Sequence, residues 1–262
     1  MNWELMVTAI VVLTFVVGLA LERFVLYRKD WQWQGKDYWK TLGGFLGQAI
    51  SGRLLGVSFG LMFAWLFPGM AGGLSGMHVA VAFCLIWAVE ELCFYWLHRW
   101  SHEKKWLWKL HRAHHSSDKM GFLILFRYNF FWPFLRPQTW IGAFAAYFGL
   151  MSAYWPFVIM TFIIGVYTHL PYRWDLKLLE YRWIRPFWWV FERVVVTPDT
   201  HHAHHGMGRH GRLTGNYTTS LFLWDVIFKT AYIPRTHQKR FGLPVKNLDT
   251  GEEVLWPLIR KT

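Results

Sequence analysis

The chain has 262 residues, of which 54% are hydrophobic, 20% aromatic and only 17% charged. Soluble domains carry roughly 25% charge, so this composition argues against disorder and against an ordinary soluble enzyme. The net charge of +12 would suit nucleic acid in a hydrophilic chain. Here the basic residues stand between long apolar runs, so no nucleic-acid partner is expected and a membrane protein with basic loops on one side is.

The first run, Leu5 to Leu21, is uncharged and long enough to begin a spanning helix that Glu22 and Arg23 close at an interface. Glu4 precedes it, with no Lys or Arg, and no small-residue cleavage site follows, so it reads as a retained signal anchor. Trp31, Trp33 and Trp39, within the basic stretch Tyr27 to Lys40, suit a headgroup-level belt. A second span is expected within Thr41 to Phe67, where Arg53 interrupts. Leu54 to Phe67 alone makes about 21 Å of helix against a hydrocarbon core of about 30 Å, so the Gly-rich stretch before Arg53 must supply the rest. Pro68 to Gly76 is an uncharged loop, and a third span runs from about Met77 to Trp96. Trp140–Leu150 and Tyr154–Leu170 are two apolar runs with a break at Met151–Ala153, expected as a helical hairpin. Beyond Tyr172, Trp183, Trp188 and Trp189 interleave with Arg182, Arg185 and Arg193, as in helices lying at the interface.

The fold class expected is therefore all-α integral membrane, with about four transmembrane helices plus interfacial helices. It forms a single domain: a transmembrane pair over 1–76, a histidine-rich catalytic region over 77–230 and a tail over 231–262. The loops Pro68–Gly76 and Met151–Ala153 hold no Lys or Arg. The positive-inside rule then places the N-terminus outside and the histidine motifs at the cytoplasmic face. Cys84 and Cys93 lie in one apolar segment and make neither a disulfide framework nor a cysteine zinc site.

Thirteen histidines are the anomaly. Three clusters stand out: His98 with His102; His111 with His114 and His115; and His201 with His204 and His205. On a helix, residues four apart share a face, and three at i, i+3 and i+4 fall within an arc of about 100°. Imidazole is the commonest metal ligand and suits iron, zinc, copper and nickel. Eight converging rings exceed what one four-coordinate ion uses, and two ions would account for them. His202 points off the shared face, and His78, His210 and His237 read as isolated interface histidines. A zincin motif is excluded because Trp106 occupies the place of its second histidine. No paired E-x-x-H of soluble di-iron bundles and no phosphate loop occurs.

Several stretches resemble the fatty acid hydroxylase/sterol desaturase superfamily of integral-membrane histidine-rich enzymes. Glu91 to Arg99 is similar to its acidic-F-x-x-Y-x-x-H-R lead-in, and Leu107 to Ser117 to its L-W-x-x-H-x-x-H-H-S-S stretch. Thr197 to His205 is similar to its T-P-x-x-H-x-x-H-H box, while Asn216-Tyr217 and Trp224-Asp225 resemble its closing motif. The resemblance implies that His169 is a ninth ligand, beside His98, His102, His111, His114, His115, His201, His204 and His205. Arg127 falls where the family has an arginine. Glu91 stands where aspartate is usual, Gly121 and Ile124 where Asn and Thr are common, and Thr218 and Lys229 where glycines are.

The resemblance implies two iron ions, for which zinc can substitute in purified protein, that activate O₂ to hydroxylate or desaturate a lipid: fatty acyl, sterol or related. Glu91, two helical turns before His98, and Asp225 are the candidate acids that orient ligands and hold their tautomers. Phe122, Phe126 and Phe130 are candidates for lining a lateral lipid entry. No flavin, nicotinamide or haem motif occurs, so electrons must come from a separate protein such as ferredoxin or cytochrome b5. The alternatives are an oxygen-independent dizinc membrane enzyme and a non-catalytic membrane metal-binding protein.

Overall fold

The computed structural model describes residues 3–24, 33–244 and 248–260. Among them the regular secondary structure is helical, apart from the isolated bridges Val195–Leu221 and Gly206–Phe241. In order come α1 (Trp3–Phe24), α2 (Gly35–Leu66), α3 (Val79–Glu103), α4 (Lys105–His115), α5 (Pro137–Phe148) and α6 (Met151–His169). Short helices follow: α7 (Trp174–Leu178), α8 (Arg185–Val194), α9 (Pro198–His205), α10 (Leu223–Ile227) and α11 (Thr250–Leu255). α2, α3 and α6 are long and apolar enough to cross a membrane, and α1 holds a shorter apolar stretch, Leu5–Ala20. The expected all-α membrane class is what forms.

The second span begins at Gly35, earlier than expected, and runs unbroken through Arg53, which is exposed. Its glycines are more than filler. A Cβ on Gly44 or Gly47 would run into the Phe126 and Phe130 carbonyls, so these two positions let α2 lie directly on the 122–134 segment. The Gly47→Ala variant should therefore lose about 1–3 kcal/mol to overpacking. Thermal unfolding in detergent measures this, and an unchanged midpoint would show that the contact yields freely.

Of the two apolar runs after Arg136, only the second makes a span. α5 is 12 residues long, about 18 Å of helix, too short to cross. The break also falls earlier than Met151–Ala153. Gly149, at φ +85°, caps α5 in the left-handed conformation that ends helices, and α6 already starts at Met151. The turn after α5 meets the loop after α2, where Gly72 donates to the Tyr147 carbonyl (2.8 Å) and Leu74 to that of Phe148 (3.0 Å). These turns thus share one end of the bundle, while α3 and α6 run from that end to histidines at their C-termini.

Near α1's C-terminal end, Glu22 is buried rather than interfacial, and it accepts from the Phe122 N–H and from Trp33 Nε1. Trp31 lies outside the described residues, as does the Arg23 side chain. Trp39 is exposed on α2. α8 turns Phe187, Trp189 and Val190 outward and buries Trp188 and Glu192, as an interfacial helix would. The segment expected as a tail contributes α11, which packs on α2 and α4. Asn129 Nδ2 donates to the carbonyls of Glu253 and Trp256 at 3.1 Å each.

Candidate metal centre

Four elements bring the histidines together. α3 ends at Lys104, whose extended backbone (φ −105°, ψ 119°) breaks the helix for one residue. α4 restarts at once with Leu107 and Leu110 buried, which turns His111 and His115 toward His98 and His102, and His114 toward His169 and His205. α9 starts at Thr197, whose hydroxyl accepts from the Thr200 N–H, with Pro198 at the first helical position where its missing N–H costs nothing. Buried Arg173 holds Asp199 on α9 at 2.7 Å. α6 delivers His169.

All nine predicted rings converge, in two groups. His98, His102, His111, His115 and His204 form one, and His114, His169, His201 and His205 the other. Within each group the ligand nitrogens all lie within 4.8 Å of one another. The stacked rings of His115 and His205, 4.3 Å between centroids, join the groups side by side. His202 is buried elsewhere, its Nε2 donating to the Leu170 carbonyl at 3.1 Å. His78 caps α3, its Nδ1 accepting from the Ala80 N–H.

The donor set fits metal on its own terms. His98 Nδ1 lies 2.5 Å from the Tyr217 carbonyl and His204 Nδ1 2.7 Å from that of Gly215. Carbonyls only accept, so both protons sit on Nδ1. Each Nε2 is then a bare lone pair, and the two stand 3.2 Å apart. Buried lone pairs facing each other repel unless a cation lies between them. Nitrogens bound about 2.1 Å from one ion are themselves roughly 3 to 3.5 Å apart. His111 Nε2 stands 2.9 Å from His98 Nε2 and 3.0 Å from His115 Nε2, and neither ring nitrogen of His102 has a hydrogen-bond partner. In the second group, His114 Nδ1 donates to the Ile124 carbonyl (3.0 Å) and His169 Nδ1 to that of Gly165 (2.6 Å). His169 Nε2 is 2.9 Å from His201 Nε2, and His205 Nε2 is unpartnered. Burial, reinforced by neighbouring imidazoles, pushes His111, His114, His115, His201 and His205 well below the ordinary histidine range, and burial takes His204 down to about 4. The rings are neutral at pH 7, the form that binds metal.

Residues 83–230, more than half the chain, match the family model described as fatty acid hydroxylase. The chain belongs to the fatty acid hydroxylase family. Within it, alkylglycerol monooxygenase of Xenopus tropicalis is 27% identical over 154 residues, covering 57% of this chain and 30% of the relative. The human alkylglycerol monooxygenase is 26% identical over 137 residues, 52% of this chain and 27% of the relative. Methylsterol monooxygenase 1-3 of Arabidopsis thaliana is 25% identical over 182 residues, 68% of this chain and 58% of the relative. The chain thus spans about 30% of the length of the frog enzyme. No solved structure gives a significant match.

Family motif and geometry meet at the loop 215–220. Neither Glu91 nor Asp225 touches a histidine ring. Asp225 accepts from the Tyr217 N–H (2.9 Å), from the Thr218 N–H (2.8 Å) and from the Thr218 and Thr230 hydroxyls. Glu91 accepts from the Thr219 N–H (3.0 Å) and from the Thr219 and Ser220 hydroxyls. The acids fix a loop whose carbonyls, at Gly215 and Tyr217, set the tautomers of His204 and His98. Sequence reading missed this relay because its last link is backbone, which has no residue signature. Lys229, where the family has glycine, holds φ +59°, in the region that favours glycine. Asp225→Ala should weaken metal binding about 10- to 100-fold, read by chelator competition. Unchanged affinity would remove Asp225 from the relay.

Proposed function

We propose that the protein is a membrane-bound di-iron oxidase that uses O₂ to hydroxylate or desaturate a lipid, with its histidines at the cytoplasmic face. One observation carries this reading. A cavity of about 280 Å³ opens between α1, α2 and α6, lined by Val7, Ile10, Phe45, Phe126, Val158 and Phe162. It ends on His98 and His111 of one group and on His114, His169 and His201 of the other. An apolar chain entering sideways from the bilayer would lie against both groups with water excluded. Of the three candidate phenylalanines, Phe126 lines this cavity. Phe122 is instead fully buried, ring against ring with Phe15 and Phe126, and Phe130 lies off the cavity.

The nine imidazoles, neutral and with tautomers set by carbonyls, are the ligands proposed for two iron ions. Iron bound there supplies the oxygen activation that an unactivated C–H bond requires. Tyr128, stacked on His114 at 4.8 Å, and Trp132, 4.5 Å from the His111 ring, hold the ligands in place and keep the site dry. The two electrons per turnover come from a separate donor protein. Exposed Lys104 and Lys105, at the break between α3 and α4, offer an acidic donor a contact close to His102. The cytoplasmic placement is supported by the two uncharged turns meeting at the far end of the bundle.

The relatives whose names specify alkylglycerol and methylsterol oxidation support the oxidase class, with the lipid left to experiment. Host lipids are compared with and without the protein in ¹⁸O₂, with His204→Ala as control. New lipids carrying ¹⁸O, or lacking two hydrogens, are expected only with active protein, only in oxygen, and in proportion to bound iron. Lipid changes that persist without oxygen, or with zinc alone, would favour the dizinc reading instead.

A further inference from the structure

We infer that Arg136, with the side-chain amides of Gln48 and Gln138, anchors the carboxylate of an amphiphilic substrate inside the apolar cavity. This rests on the reading that the cavity receives the lipid to be oxidised, and it names the class of lipid.

Arg136 lines that cavity together with Gln48 and Gln138, and apart from the histidines and three threonines the rest of the wall is aliphatic, aromatic or glycine. It precedes α5, next to Phe94 on α3 and Gln48 on α2, both well inside helices long enough to span. A guanidinium at that depth is expensive and normally has a partner. Arg136 is half-buried. The two buried arginines among the described residues have acidic partners: Arg127 pairs with Asp37, and Arg173 with Asp175 and Asp199. Arg136 makes no ion pair among the described residues. Its Nη1 reaches Gln48 Oε1 only at 3.5 Å, and its Nε is buried with no hydrogen-bond partner. Arg136 acts electrostatically on Glu90, buried on α3, but the two do not meet as an ion pair. A planar fork of donors, part unused and facing a cavity with aliphatic and aromatic walls, matches the two oxygens of a carboxylate.

The anchor stands close to the reaction site. The guanidinium carbon lies 5.8 Å from the centre of the Phe94 ring, and that ring lies 5.4 Å from the centre of the His98 ring. A head group held at Arg136 would leave the chain beside it running along the histidines.

The test uses the metal-loaded full chain in neutral detergent, with cis-parinaric acid as the fluorescent occupant. Palmitate, hexadecyl phosphate, 1-hexadecanol and hexadecane compete for it. Palmitate should displace the probe best. Arg136→Gln should weaken palmitate about 10- to 100-fold, the worth of a charge-assisted hydrogen-bonded pair, while shifting hexadecanol and hexadecane by no more than about twofold. Arg136→Lys should recover part of the loss, Glu90→Gln should keep the palmitate preference, and metal content should stay unchanged throughout. Equal losses for all four competitors, or none, would overturn the anchor. So would a Glu90→Gln variant that loses palmitate as Arg136→Gln does. Stronger displacement by hexadecyl phosphate than by palmitate would overturn the carboxylate assignment. The binding result is independent of turnover. Oxidation of a neutral lipid with no palmitate preference overturns the anchor alone, and an intact preference without oxygen-dependent products overturns the oxidase reading alone.

Discussion

His204→Ala should remove one bound ion, leave the other, and abolish lipid oxidation. His204 belongs to the group with His98, His102, His111 and His115, and its Nε2 stands 3.2 Å from His98 Nε2. Without it, four rings remain in that group and the lone pair of His98 loses its nearest co-ligand on α9. His201→Ala is the mirror experiment, because His201 belongs with His114, His169 and His205. Each variant should hold about one metal per chain where the parent is expected to hold two, measured by elemental analysis of protein that remains folded in the membrane. Under the proposed di-iron reading, in which both groups would hold an ion, loss of activity should reach several orders of magnitude in both. Replacement of His78 or His237, which lie outside both groups, should leave metal content untouched. Two metals retained in His204→Ala, or full activity, would remove the ring from the centre. Loss of both ions together would show that the groups bind as one unit.

Arg127→Met should cost about 3–5 kcal/mol of stability without touching a metal ligand, the penalty for leaving a buried charge unpaired. Arg127 is fully buried and pairs with Asp37, and its Nη2 donates to Ser116 Oγ at 2.8 Å. Beside it Lys40 pairs with buried Glu253 and donates to the same Ser116 hydroxyl at 3.2 Å. This network ties the start of α2, the end of α4 just past His115, and α11 into one charged core. Adding Asp37→Asn to Arg127→Met should recover much of the loss, because the orphaned carboxylate is then gone. Thermal unfolding of the single and double variants in one detergent measures the coupling. A single-variant loss below about 1 kcal/mol would mean that Lys40 or water already satisfies Asp37.

Much of this architecture was legible before any coordinate. Leu5–Ala20, the apolar runs of α2, α3 and α6, and the uncharged turns are compositional facts, because entry into a bilayer depends on the apolarity of about twenty consecutive residues and little on their neighbours. The span limits were less legible. α2 extends through a glycine-rich stretch that helix propensity disfavours, since Gly44 and Gly47 allow a backbone contact with residues far along the chain. α5, as apolar as a span, stops at a left-handed glycine.

The spacing of the histidines by itself determined that imidazoles gather at helix ends in numbers suited to two ions, and the family resemblance added His169. Only the tertiary structure decided how they divide. His114 and His115 are neighbours yet fall into different groups, and so do His204 and His205. Adjacent residues on a helix point about 100° apart, so each pair faces two ways, and which ring it meets depends on where α3, α6 and α9 cross. The carbonyls of Gly165, Tyr217 and Gly215 that set the tautomers belong to the same level. Any residue type carries a carbonyl, so its direction is a property of the folded backbone and leaves no trace in the order of side chains.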